Sequence, residues 1–215
     1  MIDRPPLQPP CPRGFEHINR YWDERHQVWA AKILPGEFYV TAHGEMIGTV
    51  LGSCISVCIR DVVLGIGGMN HFMLPAKENL EDISWGSNQT TAATRYGNWA
   101  MEYMLNELYK LGALKQNLEV KVFGGGQVLA SMTDIGQNNI LFAYDYLHRE
   151  GMQIKAADVG DIFSRKVLYF PDTGAVKVRR ITNTRNDTVV VREKDYAERA
   201  RNRITGSNNN IELFD

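Results

Sequence analysis

The stretch at residues 49–75, TVLGSCISVCIRDVVLGIGGMNHFMLP, decides the fold. Cys54 follows Gly52-Ser53 and opens a run, Ile55 to Ile59, in which apolar and small side chains alternate. The β-branched content favours a strand, with Cys54, Ser56 and Cys58 on one face and Ile55, Val57 and Ile59 on the other. The next run, Gly65 to Leu74, is also strand-like. If Asp61 to Leu64 turns the chain back, the hairpin is centred between Val62 and Val63, and Cys54 falls opposite His71. Directly opposed side chains share a face, with Cβ atoms about 4.5–5.5 Å apart. A one-residue slip would separate them.

A thiol beside an imidazole has a definite chemistry. Histidine favours the thiolate, which can attack a carboxamide carbon while imidazolium protonates the departing ammonia. Gly52 leaves room for a substrate carbonyl near the backbone of Ser53–Cys54, whose amide groups suit an oxyanion. A third group orienting the ring would complete a triad. Cys54 and Cys58 would lie about 13 Å apart along a strand, too far to share a metal or a disulfide. Cys58 reads as a small buried residue.

Outward from this segment, a helix is expected from about Thr90 to Leu111, where Ala92, Tyr96, Trp99, Ala100, Tyr103, Met104, Leu108 and Leu111 recur at three- and four-residue steps. Gly112 is placed to stop it. A strand over Leu118–Phe123 ends in Gly124-Gly125-Gly126. That run lacks the lysine and Ser/Thr of a phosphate loop and reads as close backbone packing. A second helix fits 137–150, with Ile140, Leu141, Tyr144 and Leu147 inward and Gly151 as terminator. Strands follow at 153–157, 166–170 and 175–181, the last two joined by the turn Pro171-Asp172-Thr173-Gly174. The sum is a mixed α/β domain, of α+β type, with helices packed on sheets.

The ends differ in character. Residues 1–14 carry five prolines, and the aromatics of 15–33 have roughly helical spacing, so 1–35 reads as an arm. Residues 36–182 form the domain. From 183 to 215 the chain is polar, with a possible edge strand at 188–191, an exposed helix at 193–204 and a disordered stretch at 206–210.

The whole chain has 215 residues, 44% hydrophobic and 23% charged, with a net charge of −1, which suits one soluble domain without a global pull toward nucleic acid. No run reaches the roughly 20 apolar residues of a membrane helix, and the N-terminus is not built as a signal peptide. Three cysteines, Cys11, Cys54 and Cys58, make no disulfide framework, so a cytoplasmic location is expected.

At these residues the sequence resembles the CheD family of chemoreceptor glutamine deamidases. The matching strings are Leu51-Gly52-Ser53-Cys54, Val57-Cys58 and Gly67 to Pro75, then Arg95-Tyr96-Gly97 and Gly124–Gly126. They continue through Ile135-Gly136 before Asn139, Asp158-Val159-Gly160, Arg165-Lys166-Val167 and Phe170-Pro171…Thr173-Gly174, covering roughly residues 36–182. Asn138 and Asp161 stand where the family commonly has arginine and glycine. The resemblance implies a layered sandwich of mixed, largely antiparallel sheets, like deamidating toxin catalytic domains. It implies hydrolysis of receptor glutamine to glutamate without metal or organic cofactor, by a Cys–His–Thr trio. Cys54 and His71 take the first two places; Thr49 is the threonine available for the third, its neighbour being Gly48. Gly52, Ser53 and Asn70 are candidate substrate contacts, although strand alternation points Asn70 to the opposite face. The implied partners are the cytoplasmic helices of methyl-accepting chemotaxis receptors and a CheC-type phosphatase. A binding module regulating either partner is the alternative.

Overall fold

The computed structural model describes residues 5–74, 92–128 and 133–181, with isolated positions 191, 195, 196 and 198. The expected disordered stretch at 206–210, and most of the expected strand at 188–191 and helix at 193–204, lie outside these residues. Two five-stranded sheets are stacked, one ordered β1-β2-β4-β9-β10 and the other β3-β6-β5-β7-β8. Here β1 is Asn19–Asp23, β2 Val28–Lys32, β3 Phe38–Thr41, β4 Met46–Leu51, β5 Ile55–Asp61, β6 Ile66–Asn70, β7 Leu118–Gly124, β8 Ile154–Val159, β9 Ser164–Phe170 and β10 Ala175–Ile181. Pairing is antiparallel except between β2 and β4 and between β7 and β8. The helices α1 (Ala92–Lys110) and α2 (Thr133–Arg149) pack against the second sheet, giving the layered α+β sandwich.

The inner strands β5 and β6 of the second sheet are buried on both faces, between the first sheet and the helices. Ile47, Leu51, Val167 and Tyr169 of the first sheet, Val57 and Ile59 of the second, and Met101, Met104 and Leu108 of α1 belong to one core. The α1 helix stops at Gly112, whose N–H donates to Tyr109 O (2.9 Å) while that of Ala113 donates to Leu108 O (3.1 Å), the paired closure of a Schellman motif.

Three expectations change. Residues 19–32, read as helical, form the β1–β2 hairpin, with Trp22 directly across from Trp29. Their aromatics alternate along strands, and the parallel β2–β4 pairing makes much of the supposed arm part of the first sheet. The α2 helix begins earlier, at Thr133, and its inner face keeps the expected Leu147 and the half-buried Ile140 but not Leu141 or Tyr144. Asn139, Phe142, Ala143, Tyr146 and Leu147 are buried, while Leu141 and Tyr144 are exposed. A polar residue claims the inner face and rotates the apolar stripe. The central hairpin is the third case. Its pairs Cys58–Met69 and Asp61–Ile66, with the bridge Ile55–Phe72, centre it between Val63 and Leu64. Asp61 Oδ1 accepts the N–H groups of Val63 (2.8 Å) and Leu64 (3.0 Å), and Gly65 closes the turn at φ +69°. That is a shift of two residues from the expected register.

Candidate active site

The two-residue shift preserves side-chain parity. His71 lies across from Ser56, and Met73 across from Cys54. Cys54 and His71 are therefore diagonal neighbours on the face toward the first sheet, not a directly opposed pair.

From that sheet, β4 presents Thr49. It is central, flanked by β2 and β9, and pairs with Val167. Thr49 Oγ1 donates to the carbonyl of Ile33 (2.8 Å) and lies 2.8 Å from His71 Nδ1. A hydroxyl has one proton, and a carbonyl can only accept. The proton therefore goes to Ile33, and Oγ1 accepts from Nδ1–H. This places the ring hydrogen on Nδ1 and leaves the lone pair on Nε2.

His71 follows β6 directly and is held at both main-chain ends. Its N–H donates to Glu37 O (2.8 Å), and its carbonyl accepts from Gly36 N–H (2.7 Å). The side chain is only 2% exposed. Nε2 has no hydrogen-bond partner, the one buried side-chain nitrogen or oxygen of which this is true among the described residues. Burial lowers the ring's pKa to about 3, so it is neutral near pH 7.

Cys54 lies between β4 and β5, fully buried. The three carbonyls around it are tied from the far side. Gly52 O accepts from Gly126 N–H (2.8 Å), Cys54 O from Gly125 N–H (2.7 Å) and Ser53 O from Asn139 Nδ2 (2.8 Å). The glycine run is there for contact. Gly124 has φ +110°, and a Cβ on it would sit 2.2 Å from Cys54 O. Arg165, fully buried, braces the same loop through Gly124 O (3.4 Å), Phe163 O (3.2 Å) and Gly160 O, with Asp158 as its counter-ion (2.9 Å).

Of the other sequence-predicted residues, Asn70 faces the helices, away from His71. Its Oδ1 accepts Val57 N–H (2.8 Å), and Nδ2 donates to Ala100 O (3.4 Å). Ser53 Oγ contacts Met73 Sδ (3.6 Å). Cys58 is in the core, and burial pushes its thiol pKa up, as for an inert thiol. No cluster of three or more His, Cys, Asp or Glu able to hold a metal occurs among the described residues. Asn139 and Arg165 were read from the sequence only as parts of matching strings. A polar residue on an otherwise apolar helix face was the available signal for Asn139.

A buried thiol on the same sheet face as a neutral imidazole whose Nδ1 is fixed by a hydroxyl is a set of groups able to carry nucleophilic acyl transfer. The comparisons narrow this. The model of the family described as CheD chemotactic sensory transduction matches residues 73–180. Relatives named "Probable chemoreceptor glutamine deamidase CheD" include that of Halorhodospira halophila, 55% identical over 188 residues, 87% of each chain. That of Hydrogenovibrio crunogenus is 49% identical over 81% of this chain and 89% of its own. One from Shewanella oneidensis, named "CheD 1", is 48% identical over 97% and 98%. The chain belongs to the CheD family. No helix among the described residues is long and apolar enough to cross a membrane.

Proposed function

We propose that the protein hydrolyses glutamine side chains of chemotaxis receptors to glutamate, with Cys54 as nucleophile, His71 as base and Thr49 as the residue that orients the ring. The observation that carries the reading is His71 itself: neutral, Nδ1–H engaged by Thr49, and Nε2 buried with its lone pair unused. Unpaired buried polar atoms are costly and rare, and chemistry is one reason to keep one.

The steps balance as follows. Nε2 takes the Cys54 thiol proton as Sγ bonds to the carboxamide carbon. The oxyanion forms toward the main-chain amide at Ser53–Cys54, with Gly52 leaving room for the substrate. The imidazolium then protonates the nitrogen, ammonia leaves, and a thioester remains. Water, losing a proton to Nε2, attacks the thioester; collapse releases glutamate and returns the proton to sulfur. Because burial holds the ring neutral, the base acts by taking the proton during attack instead of standing as a preformed ion pair. Cys58 and Asn70 have no part in these steps. The names of the relatives support the receptor as substrate, and receptor glutamate would then be open to methylation.

The test is mass spectrometry of a receptor cytoplasmic fragment after incubation with the wild type and with Cys54→Ala. Amide-to-acid conversion by the wild type alone is expected. Binding without conversion would sink the enzyme reading and leave a regulatory module; equal conversion by Cys54→Ala would sink the nucleophile.

A further inference from the structure

Asn139 does something that the scheme above does not use. It lies on α2, outside the segment that carries Cys54, His71 and Thr49, and is fully buried. Both ends of its carboxamide are occupied, each by a different arm of the site. Nδ2 donates to Ser53 O (2.8 Å), one residue before the nucleophile, and Oδ1 accepts the N–H of Leu74 (2.7 Å), three residues after the histidine. The helix reaches this depth because Gly136, one turn earlier, has no side chain: a Cβ there would sit 2.6 Å from Gly125 O.

We infer that Asn139 is a positioning residue for the reaction, a clamp that fixes the Cys54 loop against the His71 strand and aims the Cys54 N–H. The aiming follows from the trans-planar peptide. Ser53 C=O and Cys54 N–H point in opposite directions across one rigid unit. A donor holding the carbonyl on the α2 side therefore turns the N–H away from α2. The clamp also has a sequence basis. A carboxamide offers a donor and an acceptor at one terminus, whereas a carboxylate offers only acceptors and a hydroxyl is too short to span both groups. The inference rests on the deamidase reading for its activity arm only.

Two measurements on the full-length protein test it: kcat and KM on the receptor fragment, and the rate at which iodoacetamide labels Cys54, followed at its peptide by mass spectrometry. Asn139→Ala removes both bonds. Asn139→Asp, assayed where the carboxylate is ionised, keeps the acceptor for Leu74 and sets an oxygen against Ser53 O in place of the donor, which covers the case where the alanine variant does not fold. Leu147→Ala, a buried cavity two turns further along α2, controls for general loosening. The expected pattern is opposed: kcat falls about 100-fold with KM nearly unchanged, the order of loss that follows a slight misplacement of reacting groups. Meanwhile labelling of Cys54 rises at least about tenfold over the Leu147→Ala rate. A kcat loss matched by Leu147→Ala, or labelling no faster than that control, would overturn the clamp. If the wild type deamidates nothing, the functional reading fails, and the labelling arm still decides whether Asn139 holds the loop.

Discussion

Among the buried polar clusters of the described residues, those at Glu45 and at His71 are built differently. At Glu45, fully buried between β3 and β4, the carboxylate accepts from Arg20 Nε–H (2.8 Å), the Tyr39 hydroxyl (2.8 Å) and the Thr41 hydroxyl (2.8 Å). Arg20 Nη2 also donates to Pro9 O (2.7 Å), so the cluster ties the proline-rich start to the sandwich. At His71, one nitrogen is matched and the other is left over. A saturated network rigidifies; an incomplete one carries a cost that needs a reason. The contrast, a saturated cluster against one with an unmatched nitrogen, is drawn without reference to any relative.

Substitution can break that contrast from either side. The largest effect belongs to His71→Gln, which removes the proposed base: deamidation of the receptor fragment should fall by at least about 10³-fold while the circular dichroism melt stays cooperative. Glu45→Ala should do the reverse. It strands a guanidinium that is 7% exposed, and urea unfolding should report a loss of about 3–5 kcal/mol, with kcat of the folded protein unchanged. If Glu45→Ala lowered kcat as much as His71→Gln does, the two clusters would not be separable. Thr49→Val sharpens the comparison, since it frees Nδ1–H; kcat should fall about 10- to 100-fold, and Thr49→Ser should recover most of it.

The smallest effect is on stability against pH. An unfolded histidine takes a proton near pH 6.5, whereas the buried ring resists until about pH 3. Between those values the unfolded chain binds more protons, so stability falls as pH falls. From pH 7 to pH 5 this group alone should cost about 2 kcal/mol. His71→Gln should remove that part of the slope in paired urea titrations. An unchanged slope would mean that the ring is protonated in the folded state.

Much of this was legible in the chain. Residues 49–75 declare two strands and a turn, and parity alone puts Cys54 and His71 on one face. The exact pairing was not legible, because it depends on whether Asp61 or Val62 opens the turn, and that is settled by the Asp61 carboxylate and by Gly65. The contact of Thr49 with His71 joins two sheets, and nothing local encodes which strands stack. The α2 face was misread in part since Leu141 and Tyr144 look like core residues, while Asn139, which bonds both Ser53 and Leu74, looks like surface. The N-terminal aromatics fit either period over so short a span, and only pairing with β4 decides between them.

The carbonyl of Ile33 has a consequence at the level of inheritance. Through Thr49 it decides which nitrogen of His71 carries the proton, yet it belongs to the main chain, which every codon specifies alike. Changing the side chain at position 33 leaves that acceptor in the molecule. What would reach the proton is displacement of the chain, for instance through loss of the Ile33 N–H bond to Gly48 O (3.0 Å). The tautomer is thus written in the course of the backbone, where drift in side-chain identity has little purchase on it.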